Sequence, residues 1–168
     1  MSALRMLRDR RGTAAAELAM VAPILLLIMF GSVELGRYFY NQHILVKAVR
    51  DGAVFAARQP IDNFNCPSSI DPGVVSTTET LVKTGGLSNN ADLLPQWDDT
   101  GASFTMSLQC FTATGGTTLA GIYTANGGNV PVITLEASLP YSPITGGFGG
   151  SWTGASLHAT QQTPVVGL

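Results

Sequence analysis

Between Leu18 and Val33 the chain carries no charged residue, and counted from Thr13 the apolar stretch runs 21 residues to Val33. As a helix rising about 1.5 Å per residue it spans roughly 30 Å, the thickness of a bilayer's hydrocarbon core. Past Glu34 the pattern turns amphipathic. Leu35, Tyr38, Phe39, Gln42, Leu45, Val49, Gly52, Ala53 and Ala56 recur at three- and four-residue steps, while Glu34, Arg37, Asn41, Arg50, Asp51 and Arg58 fall mostly elsewhere. One helix is therefore expected over residues 13–58, with its transmembrane part at 13–33. Pro60 supplies the stop, because it pushes Gln59 away from helical backbone. Pro23 removes one hydrogen bond inside the helix and predicts a kink or a locally melted turn.

Beyond Pro60 the texture changes to short segments rich in Gly, Thr, Ser, Asn and Pro. Three of them alternate with period two and predict strands: Ser103 to Thr112, Val130 to Leu139, and the less apolar Ala155 to Thr163. The runs TATGGTT, TANGGN and PITGGFGGS between them are turn material, and Thr78 to Thr84 predicts a short helix stopped at Gly85 and Gly86. A small antiparallel sheet on the outer half of the long helix would bury both apolar faces. The expected fold class is thus α+β: a long N-terminal transmembrane and amphipathic helix, then a β-rich domain over residues 59–168.

Charge orients this plan. Charged residues make up only 12% of the chain against 45% hydrophobic, and Arg5, Arg8, Arg10 and Arg11 crowd its start with Asp9 alone opposing them. Basic residues before the apolar run place the N-terminus in the cytoplasm and everything after Glu34 outside, a single-pass inner-membrane topology with a periplasmic C-terminal domain. The basic cluster is short, lacks interleaved aromatics and abuts lipid-seeking residues, which argues against nucleic acid. A secretory signal peptide shares the basic start and apolar core. Here, however, Val33, Glu34, Leu35, Gly36 and Arg37 follow the run in place of small cleavage-site residues, so the segment is expected to be retained. Ala15 with Ala19, and Ser32 with Gly36, have the small-residue spacing that lets helices approach closely, and they read equally well as ordinary lipid-facing positions.

Cys66 and Cys110 both fall in the part placed outside, where an oxidising compartment favours a disulfide over free thiols. Closing a loop of 44 residues stabilises by about 2 to 4 kcal/mol. Two lone cysteines do not suggest a metal, and no cofactor motif is present. His43 and His158 lack metal-ligand spacing, Asp98 and Asp99 follow Trp97 in a polar loop, and the glycine doublets lack the context of a phosphate loop. Neither an enzyme nor a small-molecule substrate is expected.

Glu17 stands out, since a carboxylate in lipid is expensive and calls for a partner. A chain cut after Gly12 would start at Thr13 and place Glu17 one helical turn from a fresh positive amine, its own or a neighbouring subunit's. The stretch RRGTAAAELAMVAPILLLIMFGSVELGRYFYNQHILVKAVRDGAVFAARQP resembles the N-terminal module of TadE-like minor pilins of tight-adherence (Flp) pilus systems. The resemblance covers about Arg10 to Arg58 and rests on the basic leader ending in Gly12, on Glu17 and Pro23 in the apolar run, and on FGSVELGR and AVRDGAVFAAR. It implies a pilin-like fold, a leader over residues 1–12 removed by a prepilin peptidase between Gly12 and Thr13, and a helix that packs with other pilin and pilus-assembly subunits after leaving inner-membrane lipid. Glu17 would serve that assembly, and surface adhesion and biofilm formation would be its outcome. Thr13 departs from the aromatic first residue common among type IV pilins, and a sister TadF-like role stays open. Two other readings remain: an unprocessed single-pass anchor whose periplasmic domain binds a partner or acts as a scaffold, and an anchored extracytoplasmic enzyme.

Overall fold

In a computed structural model the described residues are 11–88, 91–112, 121–144 and 154–167. They gather into two compact units, Met1–Arg37 with Pro143–Thr153, and Tyr38–Ser142 with Gly154–Leu168.

Helix α1, Arg11–Ala57, contributes to both units and ends one residue before the expected boundary. Its part in the first unit runs through Pro23 without a break, so no melted turn occurs there. Proline removes a single donor, and the residues on either side keep their helical bonds. Further along, the Ser32 hydroxyl donates to the Ile28 carbonyl at 2.7 Å, which satisfies a polar group inside an apolar segment without a partner chain.

The second unit is built around the outer part of α1. After a 3-10 turn at Ile61–Asn63 come two short strands, β1 (Phe64–Asn65) and β2 (Ser69–Ile70), paired antiparallel, and then helix α2, Pro72–Thr84. A second 3-10 turn, Pro95–Asp98, precedes β3 (Ser103–Thr112). A third, Gly121–Asn126, precedes β4 (Asn129–Pro140), and β5 (Ser156–Pro164) completes the chain's regular elements. The main sheet is antiparallel with order β3-β4-β5. The three strands lie where the alternation put them, to within a residue or so.

Helix α2 starts six residues before the expected Thr78. Asp71 caps it by accepting from the Gly73 amide at 2.7 Å, Pro72 occupies the first turn, and Gly85 closes it in the left-handed region with φ 73°. Asp-Pro-Gly reads as loop material in isolation, but an acidic cap followed by proline at the first helical position is also a helix start. Glu79 and Lys83 pair at 2.7 Å across one turn, and Lys83 also sits 5.5 Å from the Trp97 ring centre.

Register shows which sheet face is inside. Leu108 lies opposite Ile133, Met106 opposite Leu135, and Leu139 opposite Leu157. Ile133, Leu135, Leu139 and Leu157 are fully buried, while Ser103, Thr105, Ser107, Glu136, His158 and Thr160 occupy the exposed opposite face. From α1 the core takes Leu45, Ala48, Val49, Ala53, Ala56 and Ala57. This stripe departs from the expected one at its start: Leu35 and Phe39 are exposed, at 45% and 60%, and Asn41 is buried.

Gly52 is the point of closest approach. A Cβ there would lie 2.5 Å from Val82 Cγ2 and 3.5 Å from both Leu135 Cδ2 and Thr78 Cγ2, so α1, α2 and β4 meet at an atom that is missing. Helix α1 also covers the free edge of β5. The Gln42 amide makes two bonds to the His158 main chain, donating to its carbonyl at 2.6 Å and accepting from its N–H at 3.2 Å, and the Tyr38 hydroxyl donates to the Ser156 carbonyl at 3.2 Å. Four residues of helix advance about 6 Å and two residues of strand about 6.6 Å, so consecutive turns of α1 meet alternate residues of β5. The Tyr38 ring stands edge-on to Tyr141 at 5.2 Å. At the end of α1 the Ala57 carbonyl accepts from the amides of Val166 and Gly167, which satisfies a group that has no partner within the helix.

Two substitutions test this packing by chemical denaturation in detergent. Gly52→Ala gains helix propensity of up to about 1 kcal/mol, but Val82 is stiff and fully buried. Overpacking should therefore dominate and lower stability by a net of about 1 to 2 kcal/mol. The Thr78 hydroxyl is buried without a hydrogen-bond partner, so Thr78→Val should raise stability by about 1 kcal/mol; a loss would show that the hydroxyl is satisfied in solution.

Candidate functional site

The candidate site is the first half of α1. Gly12 and Thr13 lie in its first turn, and Thr13, Glu17 and Pro23 are exposed along it. From Leu18 to Met29 nine large hydrophobic residues are between 47% and 77% exposed. Burying that many aliphatic side chains is worth on the order of 20 kcal/mol. A carboxylate at the centre of a bilayer costs only about 3 kcal/mol by insertion scales, and less toward the membrane surface where Glu17 would lie. The apolar surface therefore dictates that this segment is covered, by lipid or by other helices, with Glu17 carried along. The helix is long and apolar enough to cross a membrane, and it fits a membrane anchor.

At Gly31 and Gly36 an added Cβ would meet nothing within 4 Å, so neither glycine is required by packing within the chain. Glu34 is buried, 1% exposed, although the pattern placed it among the polar positions. No periodicity announces a buried carboxylate, and the acidic residue in FGSVELGR was the one available signal.

Residues 12–54 match the family model of TadE-like proteins. The segment is TadE-like, and it ties the chain to the Tad pilus system. No curated protein and no solved structure matches the chain. The TadE-like match begins at Gly12, the residue before the expected cleavage point, and takes in Glu17 and Pro23. It ends inside the stripe that packs on the sheet, so it includes Gln42, Leu45, Val49 and Gly52. The TadE-like helix thus carries both the exposed apolar surface and most of the seam that holds the second unit.

Away from the TadE-like segment, Cys66 and Cys110 form the expected disulfide, with Cα atoms 5.9 Å apart. Cys66 follows β1 at the tip of the small hairpin, so the bond pins that tip to the end of β3. Asn126 supports the same region by donating to the Phe64 carbonyl at 2.9 Å. His43, on α1, and His158, on β5, are both exposed. Among the described residues no group of three or more His, Cys, Asp or Glu could hold a metal ion. Grooves among the described residues of the second unit include one of about 440 Å³ beside Ile44, Ala48, Leu81 and Leu93, and one of about 370 Å³ beside β3.

Replacing both cysteines, Cys66→Ser with Cys110→Ser, should lower stability by about 2 to 4 kcal/mol. The check is the denaturant midpoint of the variant against the oxidised parent, with the reduced parent expected to match the variant.

Proposed function

We propose that this protein is a minor pilin, a structural subunit of a tight-adherence pilus that contributes to surface adhesion and biofilm formation. It acts as the substrate of a prepilin peptidase and not as a catalyst. The observation that carries the reading is the coincidence, in one helix, of a family match starting at Gly12, a carboxylate at Glu17 and an exposed apolar surface running from Leu18 to Met29.

On this reading the arginines before Gly12 hold the N-terminus in the cytoplasm and the second unit lies in the periplasm. The peptidase hydrolyses the Gly12–Thr13 peptide bond. The new Thr13 amine then carries a positive charge, and Glu17, one turn away, offers a carboxylate to that amine in the same or a neighbouring subunit. In a medium of low dielectric such a pair is worth much more than in water, so it selects helices in the correct register. The nine exposed hydrophobics exchange lipid for neighbouring helices, a trade of one apolar environment for another that carries little penalty.

The experiment is mass and N-terminal sequence of the protein from membranes of cells with and without the pilus system's peptidase, combined with a piliation assay. A chain starting at Thr13 only when the peptidase is present is expected, and Glu17→Ala should be processed but incorporated at least about tenfold less. Intact N-termini in both strains, with normal piliation by Glu17→Ala, would leave an unprocessed anchor and sink the proposal.

A further inference from the structure

A second stripe of α1 faces outward in the second unit. Phe39, His43, Val46, Arg50 and Val54 recur at steps of three and four residues, so they share one face of the helix, and Lys47 lies beside them. All six are exposed, the apolar three at 60%, 46% and 45%. The stripe is distinct from the buried one of Leu45, Val49 and Ala56 that packs on the sheet. Its charge is positive and unspent: among the described residues Lys47 and Arg50 enter no ion pair, not even with Asp51, one turn beyond Lys47. An exposed helix face that mixes aliphatic, aromatic and unpaired basic side chains suits a partner that is acidic and in part apolar.

The chain itself supplies that chemistry. Beyond Arg58 it holds seven acidic residues and a single basic one, Lys83, which is already paired with Glu79. Three of the acids, Asp92, Asp98 and Asp99, are exposed in one short segment together with Leu93. The burial of Leu94 and Trp97, and a bond of 2.8 Å from the Leu93 amide to the Lys83 carbonyl, fix this segment to the unit. Leu93 also shares the groove of about 440 Å³ with His43 and Lys47, yet no ion pair joins the acids of the segment to the stripe among the described residues. Unpaired acids and unpaired bases thus flank one surface. A two-fold contact places each residue against the counterpart of its own neighbour, so two copies can satisfy both sets at once. Lipid fits less well, because the stripe runs about 22 Å from Phe39 to Val54, and a headgroup layer about 5 to 7 Å deep would cover only its first turn on a helix that leaves the membrane upright.

We propose that the outward stripe of α1 docks the acidic segment of residues 92–99 of a second copy, in a two-fold contact where each copy offers its acids to the other's Lys47 and Arg50. Val46 and Leu93 lie among those charges and lose water together. The arrangement also selects its register, since two stripes, or two acidic segments, laid on each other would repel. The inference stands on the second unit alone and does not depend on leader cleavage.

The test uses the full chain in detergent micelles, with donor-labelled and acceptor-labelled copies read for energy transfer across a dilution series. Association that weakens with added salt is expected. Lys47→Glu with Arg50→Glu should weaken it about tenfold or more, and so should Asp92→Lys with Asp98→Lys, because each variant meets its own kind with like charges. Mixed together, the two variants present opposite charges at both halves of the contact, so their association should return to within about twofold of the parent. A misfolded variant could not be rescued in this way. Association indifferent to either reversal, no recovery on mixing, or sensitivity to the stripe without sensitivity to the acidic segment would each overturn the proposal. So would a dye on Val54→Cys that is quenched by labelled headgroups of an anionic nanodisc and released by Lys47→Glu with Arg50→Glu, since that would assign the stripe to lipid.

Discussion

The second unit depends on how closely α1 approaches α2 and β4 at Gly52. Helices and sheets normally pack about 10 Å apart, with side chains interdigitating between them. At Gly52 the intervening side chain is absent, and Val82, Leu135 and Thr78 close around the backbone. The flanking α1 positions are small or medium: Ala48, Val49, Ala53, Ala56 and Ala57 are all buried. Bulk is supplied from the other side by Leu135, Ile133, Leu139 and Leu157. The division has a physical logic. A helix that presents short side chains to a sheet of long ones keeps its backbone near the strands, and that nearness lets Gln42 and Tyr38 reach the edge of β5.

This edge contact acts on orientation more than on energy. Exposed side-chain hydrogen bonds contribute modestly, roughly 1 kcal/mol each. A glutamine amide that both donates to and accepts from one peptide unit, however, mimics a neighbouring strand and fixes the helix along the edge as well as across the face. The Tyr38 bond one turn earlier adds a second fixed point. The Ala57 carbonyl, accepting from Val166 and Gly167, adds a third at the far end. With Tyr38 and Gln42 on β5 and Ala57 on the segment that follows it, α1 closes that edge of the sheet.

Much of this was legible in the sequence, for reasons that can be named. The strands β3, β4 and β5 alternate cleanly and are bounded by glycine-rich runs, so period and punctuation agree. The end of α1 was marked by Pro60, and the disulfide by compartment and cysteine count. What could not be read depended on distant partners. Asn41 is buried because of where the outer part of α1 lies in the second unit, not because of any local pattern, and Phe39 is exposed for the same reason. The Gln42–His158 contact joins residues 116 apart and needs a register that only the folded sheet defines. The start of α2 was missed because Asp71, Pro72 and Gly73 serve equally well as a turn and as a cap, and only the burial of Val74 in the core decides between them.

Glu17 remains the residue that anchoring does not explain. The apolar surface that follows it outweighs the cost of one carboxylate several times over, so a membrane segment tolerates Glu17 without requiring it. Tolerance does not account for position. Among Thr13 to Val33 it is the sole ionisable side chain, and it sits one turn inside the first residue of the expected processed chain. A carboxylate kept for solubility would be better placed among the arginines before Gly12, where water and countercharge are at hand. Placed at Glu17, it lies one turn from the positive amine that the proposed cut before Thr13 would create. Under the proposed function, cleavage and the carboxylate are parts of one device, in which removing the leader would create the charge that the helix already carries the means to neutralise.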